Sequence, residues 1–287
     1  MRKWAIGAAI VLVLVLSRFV RTPGPSPVVK PPPTPAPVLG PLSWAVLTPD
    51  ASMLVTDHLL QGRLWDVKSG NEADSFDVPA NPGPGMCVWT YFASRPPIFS
   101  HDGRRMVFTH GATPKVFDVL TGEGDGKVPS GIVAFGPEGD SVAVVREGRL
   151  QILESGSQAV LAEIRIPIQD PEWRLAWSPG GRWMAFIGRA LNVVDISSGK
   201  SVMSVAGQPN RFPEGVFKPS SDELWTWSND LIEVWKVTTG KKVRSHVLPD
   251  TLIHSLVITR EGRVVLAGTS PSAPKSNLPV HVWTLVE

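Results

Sequence analysis

The 287-residue chain carries a formal net charge of +2, unevenly placed: five basic side chains (Arg2, Lys3, Arg18, Arg21, Lys30) and no acidic one lie in the first forty residues, which leaves −3 for the rest. A slightly acidic body without a Lys/Arg cluster argues against a nucleic-acid partner, whose phosphates are bound by cationic neutralisation. The single cysteine, Cys87, excludes an intrachain disulfide framework and any Cys-rich metal site.

Met1-Arg-Lys precedes an unbroken apolar run from Trp4 to Leu16. As a helix this run spans about 20 Å, short of a bilayer core of about 30 Å. Counting on to Val20, with Arg18 and Arg21 reaching back to the interface, gives a marginal membrane span. Residues 1–21 are therefore expected to form a hydrophobic helix acting as an uncleaved signal anchor. A cleaved signal peptide is the alternative, although no small-x-small cleavage site follows the run. Thr22–Pro41 holds nine of the 28 prolines. Proline fixes φ and cannot donate to a ladder, so residues 22–41 should form an extended spacer that reaches roughly 60 Å.

From Leu42 to the end, one pattern recurs. A strand runs into a Pro/Gly/Asp turn: LTPDA (Leu47–Ala51), FSHDG (Phe99–Gly103), FGPEG (Phe135–Gly139), WSPGG (Trp177–Gly181), FKPSS (Phe217–Ser221) and ITREG (Ile258–Gly262). A second turn reads WDVKSG (Trp65–Gly70), FDVLTG (Phe117–Gly122), VDISSG (Val194–Gly199) and WKVTTG (Trp235–Gly240), with a worn copy, ILESG, ending at Gly156. Four short strands with this punctuation make one blade of a β-propeller. Around Trp177 the expected strands are Trp173–Trp177, Arg182–Ile187, Leu191–Ile196 and Lys200–Val205. The aromatic or β-branched residue that opens each second turn (Trp65, Phe117, Val194, Trp235, and Trp283 near the end) is expected to pack between blades. The following Asp (Asp66, Asp118, Asp195) should accept backbone N–H bonds in the turn, a structural and not a catalytic role.

The WDVKSG and WSPGG segments resemble the WD-repeat β-propeller family, most closely its divergent bacterial members, over about Leu42–Glu287. The TGK-like turns SSGK (Ser197–Lys200) and TTGK (Thr238–Lys241) also resemble pyrroloquinoline-quinone-type propeller repeats, which lack the first turn. The Gly-His dipeptide that opens a typical WD repeat is missing, so the family's Asp-His-Ser/Thr-Trp hydrogen-bond network is not expected here. The fold expected for residues 42–287 is an all-β propeller of six four-stranded blades, with seven as the alternative. The last copy is short of an outer strand, which residues around Val38–Leu42 are expected to supply.

Two insertions break the repeat on the same face: Asn81–Pro97 and Thr269–Pro279. Long loops on a rigid scaffold are where function concentrates. The first contains Trp89, Tyr91 and Phe92, an aromatic content suited to binding anchors or to plugging the channel. Glu172, Trp173, Arg174, Arg211, Glu214 and His254 are expected on the same face. The six histidines lack metal-ligand spacing, and neither a nucleophile elbow nor a phosphate loop is present, so no cofactor or metal is expected. The reading is a non-enzymatic protein-binding or scaffold propeller, membrane-anchored or exported. The competing class is an exported enzyme for a sugar or other small polar substrate, using Asp170, Glu172 and Glu214.

Overall fold

The computed structural model describes residues 12–16, 42–58, 61–77, 96–108, 115–119, 124–127, 132–166, 174–206, 214–272 and 280–285. All regular structure among them is β, as blades of a β-propeller. β1 (Leu12–Leu16) precedes the first blade, which is β2 (Leu42–Leu47), β3 (Met53–His58), β4 (Gln61–Asp66) and β5 (Glu72–Asp77). The second is β6 (Ile98–Phe99), β7 (Arg105–Phe108), β8 (Lys115–Asp118) and β9 (Gly124–Lys127). The third is β10 (Ile132–Phe135), β11 (Ser141–Arg146), β12 (Arg149–Glu154) and β13 (Val160–Arg165). The fourth is β14 (Arg174–Trp177), β15 (Trp183–Ile187), β16 (Ala190–Asp195) and β17 (Lys200–Ala206). The fifth is β18 (Glu214–Phe217), β19 (Glu223–Ser228), β20 (Leu231–Lys236) and β21 (Lys241–Val247). Each of these five is a meander of four consecutive antiparallel strands. A sixth sheet holds β22 (Leu252–Ile258), β23 (Val264–Thr269) and β24 (His281–Leu285), with β1 in the outer position.

That outer position differs from the expectation in two ways. The strand on β24 is Leu12–Leu16 and not residues 38–42, and it runs parallel, from Leu12 opposite His281 to Leu16 opposite Leu285. Leu42 instead opens the first strand of blade one. Leu12–Leu16 is thus a strand where a helix was expected. Alternating Leu and Val suit an extended chain, and the bare edge of β24 offers hydrogen bonds that an isolated short helix would have to make alone. The rest of the expected leader helix lies outside the described residues, as does the proline-rich segment 22–41. The blade count is likewise finer than the observed architecture, which is five self-contained blades plus a sheet completed by the leader.

Contacts divide the chain into two compact units. In the larger, blades two to five stand side by side, with the first strands β6, β10, β14 and β18 as successive neighbours. Apolar faces close against each other: Phe135, Val142 and Val144 pack with Val107 and Val116, and Ala143, Leu150 and Ile152 pack with Trp177, Met184 and Phe186. Ala185, Ile187 and Val193 of blade four meet Phe217 and Leu224 of blade five. In the smaller unit, Ala45, Leu47, Leu54 and Trp65 of blade one pack against Val265, Ala267, Val280 and Val282 of the sixth sheet. A single blade has two apolar faces and no means of burying them, so lateral stacking is what makes the repeat stable.

The repeated turns work as their residues imply. Asp66 Oδ1 accepts the Ser69 amide at 2.6 Å, and Asp195 Oδ1 accepts the Ser198 amide at 3.1 Å. Gly199 follows at φ 67°, a conformation that costs glycine little. The Arg182 guanidinium donates Nε–H to Asp195 at 2.9 Å, and in blade five the same two positions carry the charges exchanged, as Asp222 and Lys236 at 3.6 Å. In blades one and five the marker tryptophan donates its indole N–H to a threonine on the neighbouring strand, Trp65 to Thr56 at 2.6 Å and Trp235 to Thr226 at 3.0 Å. A tryptophan-to-threonine bond, one arm of the network not expected here, is therefore made in those two blades.

The first turn holds a clamp the sequence reading missed. The residue after the large apolar one that opens the turn is Thr48, Ser100, Ser178 or Thr259 in four copies, and its hydroxyl accepts a backbone amide across the turn, from Met53, Arg105, Trp183 and Arg263 respectively. Blade three has Gly136 there. A Cβ at Gly136 would collide with the Ser141 hydroxyl, which already fills the space. Gly136→Ser alone is expected to lower the melting temperature, and adding Ser141→Ala is expected to restore much of the loss. Thermal denaturation of the single and double variants checks this coupling.

Candidate functional site

The first strand of each blade begins at the loop-bearing face, so its leading residue is presented there. Arg174 opens β14 and Glu214 opens β18, and these strands are neighbours in the larger unit. The Arg174 Nε–H donates to Glu214 Oε1 at 2.7 Å, with both side chains about one-third exposed. Gly215 follows Glu214 in a tightly packed position. A Cβ there would lie 2.5 Å from Ile187 Cδ1 and 3.1 Å from the Trp225 carbonyl oxygen, so a side chain would have to turn the Ile187 tip aside and crowd β19. Directly across the ladder from Glu214 stands Trp227, buried, with its indole N–H lacking a hydrogen-bond partner among the described residues. A buried donor left unpaired carries a desolvation cost that a ligand acceptor would relieve.

His254 belongs to the smaller unit. It sits at the irregularity between Ile253 and Ser255 of β22, and its Nε2 lies 3.0 Å from the buried Thr269 hydroxyl. Beside it the Ser255 hydroxyl accepts the Leu47 amide at 3.1 Å, joining blade one to the sixth sheet. On β24, opposite Gly268, His281 packs obliquely on Trp283 at 5.6 Å. Burial lowers the affinity of both imidazoles for a proton.

Of the nine residues expected on this face, Arg174 and Glu214 come together and His254 stands in the other unit. Trp89, Tyr91, Phe92, Glu172, Trp173 and Arg211 lie outside the described residues, as does Asp170. Trp227 was missed. Its signal was the alternation in Glu223–Ser228, which puts Trp225 and Trp227 on the face that Glu214 shares. Among the described residues no three His, Cys, Asp or Glu side chains gather as a metal site, and no helix is long and apolar enough to cross a membrane.

The two histidines set a pH dependence with a definite sign. Their folded-state pKa lies below the unfolded value, so the unfolded chain binds more protons as pH falls through about 6.5. Stability is full above that value and declines on acidification. Asp195, held well below the usual carboxylate range by the Ser197 hydroxyl and Arg182, works in the same direction in a lower window, below about 4. The melting temperature is expected to fall between pH 7.5 and 5.5, and His254→Gln is expected to blunt that decline while leaving the lower window intact.

Comparison with protein-family models and with curated proteins finds no match for this chain.

Proposed function

We propose that this chain is a divergent WD-repeat-type propeller of six blades, a non-enzymatic recognition head for a protein partner, held at or exported across the cytoplasmic membrane by its leader. The observation that carries the reading is the Arg174–Glu214 pair: two adjacent blades place complementary, one-third-exposed charges side by side at the leading ends of their first strands. Rigid first strands with loops at their heads suit shape-complementary binding with little rearrangement. The enzyme alternative calls on Glu214 as one of three convergent acids, and one oxygen of that carboxylate is already taken up by the Arg174 Nε–H at 2.7 Å.

The tether rests on the basic-then-apolar composition of residues 1–21 and the proline-rich spacer behind them. Leu12–Leu16 cannot lie in a bilayer and pair with β24 at once. Membrane fractionation of the full chain with an alkaline wash separates the two seats, since retention in the pellet requires the anchor and release overturns it. Partner recognition is tested by crosslinked pull-down from native membranes, with the intact chain and with Asn81–Pro97 replaced by a short Gly/Ser linker. Loss of a specific partner on replacement is expected, and equal capture by a folded replacement overturns the role assigned to that loop.

A further inference from the structure

A guanidinium carries five N–H donors in a rigid fork, and Arg174 spends one of them. Among the described residues, no other hydrogen bond or ion pair is made by Arg174, and none by the second oxygen of Glu214. Among the described residues the terminal Nη1 and Nη2 groups are thus uncommitted, on a partly exposed side chain already held in place by its own ion pair. On the adjoining strand β19, the buried Trp227 indole N–H, in register with Glu214, is also without a partner among the described residues.

We propose that the terminal edge of Arg174 receives a peptide carboxylate, with Glu214 positioning the guanidinium and accepting an N–H from the same peptide. This deepens the recognition-head reading and rests on it. Paired nitrogens at 120° geometry match the two oxygens of a carboxylate, which is the bidentate arrangement arginine favours. Glu214 already neutralises Arg174, so the pair offers an incoming anion little net charge and selection rests on hydrogen-bond geometry. A carboxylate carried on a backbone with N–H donors satisfies both halves of the pair, whereas inorganic phosphate satisfies one.

The test uses the full chain in detergent with four small probes: N-acetyl-glycylglycine, its C-terminal amide, N-acetyl-glutamate α-amide, which supplies a side-chain carboxylate, and N-acetyl-glutamic acid diamide, which lacks any carboxylate. Binding is followed through the indole N–H resonance of Trp227, assigned by its loss in Trp227→Phe. Saturable shifts with the carboxylate probes and none with the amides are expected. Stronger response to the glycylglycine acid assigns a chain terminus, and stronger response to the glutamate probe assigns an acidic side chain. Arg174→Gln is expected to weaken binding about tenfold and Arg174→Lys by less, with unchanged melting temperatures for the lysine variant. Glu214→Gln separates a ligand role from a structural one, because removing the neighbouring negative charge should let inorganic phosphate bind where the parent protein binds it poorly. Equal shifts with acid and amide, or unchanged binding in Arg174→Gln, overturn the proposal. A partner captured equally by Arg174→Gln sinks this inference alone, whereas carboxylate binding without any membrane partner leaves the site standing and sinks the recognition-head reading.

Discussion

Trp225→Ala should destabilise the protein by about 3–5 kcal/mol, the largest loss expected from any single side chain described above. The ring is fully buried at the centre of blade five. Lys218 Nζ lies 5.9 Å and Arg244 Cζ 5.6 Å from its centroid, and His246 stacks on it at 6.1 Å with an interplanar angle of 15°. Glu223 knits these groups together: it accepts the indole N–H at 3.3 Å, both its oxygens take Arg244 at 2.9 and 3.0 Å, and Lys218 approaches to 3.8 Å. Alanine opens a cavity the size of an indole, and it also withdraws the ring face that two cations use. At roughly 2–4 °C per kcal/mol for a chain of this size, the melting temperature should fall by on the order of 10 °C. Trp225→Phe keeps most of the area and loses the bond to Glu223, so about 1 kcal/mol is expected. Calorimetry on both variants distinguishes the two terms. Equal losses would mean that the cation–ring assembly contributes little beyond its one hydrogen bond.

The blades were legible because their punctuation is local. In blade four, strands expected at Trp173–Trp177, Arg182–Ile187, Leu191–Ile196 and Lys200–Val205 are observed at Arg174–Trp177, Trp183–Ile187, Ala190–Asp195 and Lys200–Ala206. Turn chemistry fixes those boundaries within a residue or so, since Asp195 and Gly199 are read from their own neighbours. Pairing over long separations was not legible in the same way. The seat of Leu12–Leu16 against His281–Leu285 depends on which edge is left bare, and an apolar run that suits a bilayer also suits a bare edge. The candidate site divides along the same line. Arg174 and Glu214 were placed on one face by topology alone, but their 2.7 Å contact depends on how neighbouring blades pack, which turn chemistry does not reveal. Trp227 stayed hidden because an unpaired indole N–H is a property of surroundings, and alternation reveals only the face it occupies.

Gly268→Ala is the second large effect, and it links fold to site. Gly268 lies in β23 between Ile253 and His281, next to the irregularity in β22 that carries His254. That irregularity brings the Leu252 carbonyl oxygen to 2.6 Å from where a Cβ would stand, with Trp283 Cζ3 at 3.1 Å and Thr251 Cγ2 at 3.2 Å. Backbone cannot rotate aside as a side-chain tip can, so one methyl group must shift a strand. Overpacking of this kind costs about 1–3 kcal/mol. Gly180, with no positive φ and open space around its Cβ position, is the matched control, and Gly180→Ala is expected to be neutral or slightly stabilising. If β22 moves to make room, the 3.0 Å contact between His254 and Thr269 goes with it. The imidazole then regains water, its proton affinity rises toward the ordinary value, and the decline in stability between pH 7.5 and 5.5 should shrink in Gly268→Ala as it does in His254→Gln. Thermal melts at the two pH values measure both consequences at once. A destabilised variant that keeps the full pH slope would show that the glycine is needed for space alone and that the bulge holds His254 without it.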